Sequence, residues 1–167
     1  MKKTVIDRQI IIAAPKQKVW DTLADFGNVM NLSPNITKSY LTSEQKNGLG
    51  ATRHCDFLAM GAEVDEKISQ WDEGHSLTID LFNPKNLPMM KGMQAHFEVS
   101  EEKGQTRLKG KFEYGISNPI GKFLNKIKMR SMNIKSWEQF MAGIKHNVES
   151  GEKVDKKTKL NLSSVMA

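Results

Sequence analysis

The 167-residue chain is long enough to bury a core and short for two domains, and its 38% hydrophobic and 26% charged residues are ordinary for a globular protein. A single cysteine, Cys55, excludes an internal disulfide framework and a cysteine-rich zinc site, and no apolar run approaches the roughly 18 residues of a membrane span. The net charge of +6 lies wholly in residues 118–167, which carry 10 basic and 4 acidic residues.

The N-terminus opens Met1-Lys2-Lys3, as a signal peptide does. Asp7, Arg8 and Gln9 then interrupt the apolar run before it reaches the length of a signal core, so a soluble cytoplasmic protein is expected. Residues 3–12 are rich in β-branched side chains and read as a strand. Pro15 suits the first turn of a helix, and Val19, Trp20, Leu23 and Phe26 recur at helical spacing until Gly27-Asn28. Residues 29–36 read as a short helical turn or loop.

From Thr37 to Gly115 the period changes to two. Leu77, Ile79 and Leu81 alternate with polar residues, as do Met93, Ala95, Phe97 and Val99, and then Leu108, Gly110, Phe112 and Tyr114. Antiparallel strands buried on one face have this pattern. Turns are expected at Lys46-Asn47-Gly48, Met60-Gly61, Asp72-Glu73-Gly74 and Glu102-Lys103-Gly104. Six strands follow the first one, seven in all.

The helical period then returns. Asn118-Pro119 is a cap followed by a proline at the first helical position. Ile120, Leu124, Ile127, Ser131, Ile134, Trp137, Met141, Ile144 and Val148 follow on one expected face, and Gly151 is the stop. Such a helix of about 30 residues is about 45 Å long and needs a large sheet to cover it. Residues 1–150 therefore read as one α+β domain, and 151–167 as a basic, flexible tail.

The segments IIIAAPKQKVWDTLADF, GLGATRHCDF and WDEGHSLTIDL, and the ending NPIGKFLNKIKMRSMNIKSWEQFMAGIKHNVESGE, resemble the START-like (SRPBCC) superfamily over about residues 3–150. That superfamily includes the birch-pollen-allergen-like and the polyketide cyclase/dehydrase-type proteins. The resemblance implies a helix-grip fold: a curved seven-stranded antiparallel sheet around a long C-terminal helix, with two short helices after the first strand. It implies a cavity for lipids, polyketides, quinones or other apolar molecules. Fold alone does not choose among these, nor between carriers and enzymes.

The cavity is expected to be lined by inward residues of the strands: Arg53, Cys55, Phe57, Glu66, Ile68, Leu77, Ile79, Leu81, Phe97, Phe112 and Tyr114. Phe26 and Met30 are expected at its mouth, and Leu124 and Ile127 on the helix. A short connection at 59–62 would pair Phe57 with Val64, Cys55 with Glu66 and Arg53 with Ile68, leaving Arg53 and Glu66 as diagonal neighbours. They would either orient a ligand's carboxylate or hydroxyl, or form a structural ion pair. Met89, Met90 and Met93 follow the proline-containing stretch 83–88, as an adaptable lid or as core filler.

His54 and Asp56 lie on the face opposite Cys55, so no metal site is expected, and no serine has a nucleophile-elbow context. No cofactor is expected. Lys122, Lys126, Lys128, Arg130 and Lys135 form a basic helix face, either solvated or turned to an anionic membrane surface or acidic partner. Nucleic acid is disfavoured because no aromatic residues interleave the cations. The leading reading is a carrier or sensor of a small apolar molecule. Its rivals are a cyclase- or dehydratase-type enzyme, and an interaction module using the basic helix. Oligomeric state is not readable.

Overall fold

The computed structural model describes residues 3–87 and 89–167; Met1 and Lys2, the start of the signal-like segment, and Pro88 of the expected lid lie outside them. β1 (Lys3–Ile12) is followed by helix α1 (Lys16–Ala24) and a 3-10 segment (Phe26–Asn31). Six strands come next: β2 (Ile36–Leu41), β3 (Thr52–Phe57), β4 (Glu63–Asp72), β5 (Ser76–Lys85), β6 (Met90–Glu102) and β7 (Gln105–Ile116). They form one seven-stranded sheet in the order β1-β7-β6-β5-β4-β3-β2, antiparallel throughout. α1 and the 3-10 segment carry the chain from one sheet edge to the other.

Alternation places the side chains as the period-two pattern requires. Phe97 is buried inside while His96 stays on the outer face, bonded at 2.9 Å to the Thr78 hydroxyl. The hairpins turn where glycine or another residue at positive φ permits, as at Lys103-Gly104, where both φ values are positive. The WDEG hairpin holds α1 in place: Trp20 and Trp71 each donate an indole N–H to the Glu73 carboxylate at 2.8 Å, and their rings meet edge to face.

The β3–β4 register differs from the expected one by two residues. Phe57 N–H donates to the Ala62 carbonyl, so Arg53 stands directly opposite Glu66 and Cys55 opposite Val64. The cause is a compact 3-10 turn at Ala59–Gly61, with Met60 in the left-handed region at φ 59°, which closes the hairpin sooner than a looser connection. A shift of two preserves the faces. The 83–88 stretch is also different: β5 runs on to Lys85 and β6 starts at Met90, so Met90 and Met93 sit on a strand. Strand pairing outlasts the proline because Glu63 and Lys85 continue the β4 ladder.

The C-terminal helix consists of α2 (Pro119–Leu124), a π turn (Asn125–Met129) and α3 (Arg130–Ser150). The Asn118 side chain caps it at the Gly121 N–H, and Gly151 ends it at φ 75°. α3 lies on the sheet through Trp137, which stacks on Phe97 and Phe112 with centroids 5.3 and 5.5 Å away and donates to the Gly110 carbonyl. Before α3, the expected apolar face points the wrong way. Gly121, Asn125 and Met129 turn inward, whereas Ile120, Leu124 and Ile127 are exposed. Four-residue spacing drifts about 40° per step in an α-helix, and the wider π turn absorbs part of that drift. The inward phase is fixed by Asn125, which accepts from the Tyr114 hydroxyl at 2.8 Å and donates to Thr4.

The tail is no loose extension. Val154 is buried and bonded to the Asn31 carbonyl, and Met166 exchanges two 2.8 Å backbone hydrogen bonds with Gln9 on β1. These contacts use apolar and backbone groups, which a reading based on lysine content overlooked.

Candidate functional site

A cavity of about 240 Å³ lies between the concave sheet and α3, just under the roughly 300–1,000 Å³ usual for small-molecule pockets. Nine of the residues expected to line it do so: Arg53, Phe57, Glu66, Ile79, Leu81, Met90, Met93, Phe97 and Phe112. They come from β3 to β7, whose inward positions the sheet's curvature makes converge.

The other nine lie elsewhere. Cys55, Ile68 and Tyr114 are packed into the solid core, and Leu77 touches only a minor crevice beside the main cavity. Phe26 is buried beneath the Arg53 guanidinium, 3.9 Å from ring centroid to Cζ. Met30 faces solvent because the 3-10 segment turns it outward. Met89 lies against Gly121, and the helix phase removes Leu124 and Ile127.

In their place the helix contributes Met129, Met132, Asn133, Ser136, Trp137 and Phe140. These fall in two four-residue series, 129, 133, 137 and 132, 136, 140, of which the expected face starting at Ile120 held only Trp137. The 3-10 turn adds Ala59 and Met60, and the chain before β2 adds Ser33 and Asn35.

Polar groups on the wall are few. Arg53 Nε donates to Glu66 Oε2 at 2.6 Å, its Nη2 meets the same carboxylate, and its Nη1 donates to the Phe26 carbonyl at 2.6 Å. The pair is buried and its main hydrogen bonds are made within the protein. It ties the 3-10 segment to the sheet. On the helix side, Asn35 donates to Ser136 and Gln139 at 3.1 and 2.9 Å. Asn133 Nδ2 is buried and finds no hydrogen-bond partner among the described residues. Cys55 offers no nucleophile: burial, and then the nearby Glu66 carboxylate, push its thiol up to about 12.

On the outer face, His54 Nδ1 pairs with Asp65 at 2.7 Å and Nε2 with Asp56 at 2.9 Å. Chiefly the Asp65 hydrogen bond, opposed by partial burial, raises its pKa above 6.5. His54, Asp56 and Glu63 bring potential ligand atoms within 4.8 Å of one another, a grouping that residue spacing alone did not reveal. Strand register explains it, since Asp56 faces Glu63 and His54 faces Asp65. Lys85 occupies Glu63 at 2.7 Å, so the cluster works as a charge network.

Lys122, Lys126, Lys128, Arg130 and Lys135 are all exposed, and none forms an ion pair among the described residues. No described helix is long and apolar enough to cross a membrane.

The chain resembles several solved structures. Truncated norcoclaurine synthase from Thalictrum flavum is 18% identical, with 89% of this chain and 95% of that one covered at a TM-score of 0.67. The major latex-like protein 151 of Panax ginseng is 15% identical, with 91% and 99% covered at 0.69. Ara h 8.0201 is 13% identical, with 88% and 98% covered at 0.65. At such identities these likenesses establish the fold. No curated protein sequence matches the chain significantly. The family described as "Polyketide cyclase / dehydrase and lipid transport" matches residues 3–149. With its helix-grip fold, the chain belongs to this family of the START-like superfamily.

Proposed function

We propose that the chain is a cytoplasmic carrier or sensor that holds one compact apolar molecule, lipid-, polyketide- or quinone-like, between the sheet and α3. The carrying observation is the make-up of the wall: methionine, aromatic and aliphatic side chains dominate it, and its one charged pair is already satisfied internally. Affinity then comes from apolar burial, about 2.5 kcal/mol per 100 Å² before ordering costs. Asn133 Nδ2 supplies a donor for a ligand carbonyl or hydroxyl at one end, which favours an apolar molecule with a single polar group. The methionines let the wall adjust to ligand shape.

Native mass spectrometry of the gently purified protein, followed by denaturing extraction, tests this reading. A bound mass that leaves on denaturation is expected. Phe97→Ala should release it or weaken uptake of a fluorescent fatty-acid probe at least several-fold, because Phe97 is both wall and support for Trp137. His96→Ala, on the outer face, should leave uptake unchanged. Equal affinity in all three proteins would refute the assignment of the cavity as the binding site.

A further inference from the structure

The start of the C-terminal helix exposes apolar side chains that a folded protein ordinarily hides. Ile120 is 70% exposed, Phe123 67% and Ile127 62%, with Leu124 beside them at 37%. Their i, i+3, i+4, i+7 spacing makes one stripe. The inward residues Gly121, Asn125 and Met129 occupy the opposite side of the helix, so the stripe faces directly away from the protein. Lys122, Lys126 and Arg130 flank it on one side and Lys128 on the other. Between residues 114 and 137 there is no acidic side chain.

We infer that this face docks on an anionic phospholipid bilayer, with the apolar stripe in the headgroup–acyl boundary and the cations among the phosphates. Both halves of the pattern fit that partner. A bilayer interface takes up an exposed aromatic and aliphatic stripe, and lysine and arginine stems lie along it with their charges at headgroup level. The cytoplasmic leaflet supplies the negative potential. RNA and a second copy of the chain fit less well. A polyanion such as RNA matches the cations and leaves the stripe wet. A second copy, pairing two-fold through the stripe, sets these cations against their own images.

Docking also orients the cavity. Met129 and Met132 continue the same helix and line the cavity, and Met132 is itself 48% exposed. Met60, 71% exposed, lines the cavity from the β3–β4 turn. The membrane-facing stripe and the methionine-rich cavity wall are thus joined along one helix, which suits collection of an apolar molecule from the bilayer. This consequence rests on the carrier reading, whereas the docking itself does not.

The test is co-flotation of the full chain with phosphatidylcholine vesicles, with and without phosphatidylserine, at low and high salt. Binding is expected only with phosphatidylserine and should fall with salt. Each of Lys122, Lys126 and Lys128 changed to Gln should lower partitioning about five-fold. Phe123→Ser with Ile127→Ser should abolish flotation while circular dichroism and melting stay unchanged, since both side chains are already in solvent. Absence of flotation at low salt overturns the proposal. So does full retention by the serine double variant, which would indicate a polyanion surface. Stripe-dependent dimerisation in analytical ultracentrifugation without flotation would assign the face to a second copy. The varied residues Lys122, Phe123, Lys126, Ile127 and Lys128 do not line the cavity, so this assay fails or succeeds independently of the mass-spectrometric one.

Discussion

Arg53 and Glu66 show what a buried charge demands of its surroundings. Each is about 5% exposed, and in that setting neither survives the loss of the other cheaply. Removing one partner of a buried pair costs about 3–5 kcal/mol, mostly from the stranded charge, whereas replacing both with apolar residues is often neutral. Glu66→Ala should therefore lower the urea midpoint by an amount worth about 3–5 kcal/mol, and it also frees Arg53 to move within the cavity. Arg53→Met combined with Glu66→Leu should recover most of that loss. A cost for Glu66→Ala below about 1 kcal/mol would mean that water already reaches the carboxylate. The comparison separates a structural pair from one held in reserve for ligand.

Among the elements, α3 comes closest to its neighbours at Leu32, the residue that follows the 3-10 segment. A Cβ at Gly143 would fall 2.0 Å from the Leu32 carbonyl oxygen, where only backbone can yield. Alanine raises helix propensity by about 1 kcal/mol, but forced displacement of packed elements costs typically about 1–3 kcal/mol. Gly143→Ala should thus destabilise on balance and lower the melting temperature in calorimetry; a rise would show that the helix slides freely. Sequence patterning disclosed the elements themselves well. Period-two alternation located the strands, and Asn118-Pro119 and Gly151 bounded the helix. Its phase was illegible because the residues that set it, Gly121 and Asn125, are small or polar, and a polar residue on an inward face carries no hydrophobic signal. Asn125 points inward only because Tyr114 and Thr4 wait there. The cavity wall was half legible for the same reason. Strand positions follow from alternation, whereas Met129, Met132 and Asn133 depend on a π turn that only tertiary contacts reveal.

At the scale of the whole molecule, a seven-stranded open sheet has two edges to protect, at β1 and β2. β2 has the 3-10 segment beside it, packed through Leu41 against Gly27. β1 is shielded at Gln9 by the last residues of the chain, through the paired bonds with Met166. The tail is anchored near its start by Val154, which buries its side chain and bonds to Asn31, and it crosses from one end of α3 to the sheet edge. Truncation after Gly151 removes one buried valine and the edge hydrogen bonds together. The expected loss is about 2–4 kcal/mol, with a fall in melting temperature and a concentration-dependent shift to larger species in size-exclusion chromatography as β1 pairs between molecules. Ligand uptake by the truncated protein should persist below its melting transition, because no residue after Gly151 lines the cavity. A truncated chain as stable and monomeric as the full one would show that the tail rests on β1 without holding it. Loss of uptake at full stability would instead place the tail in the path by which ligand enters.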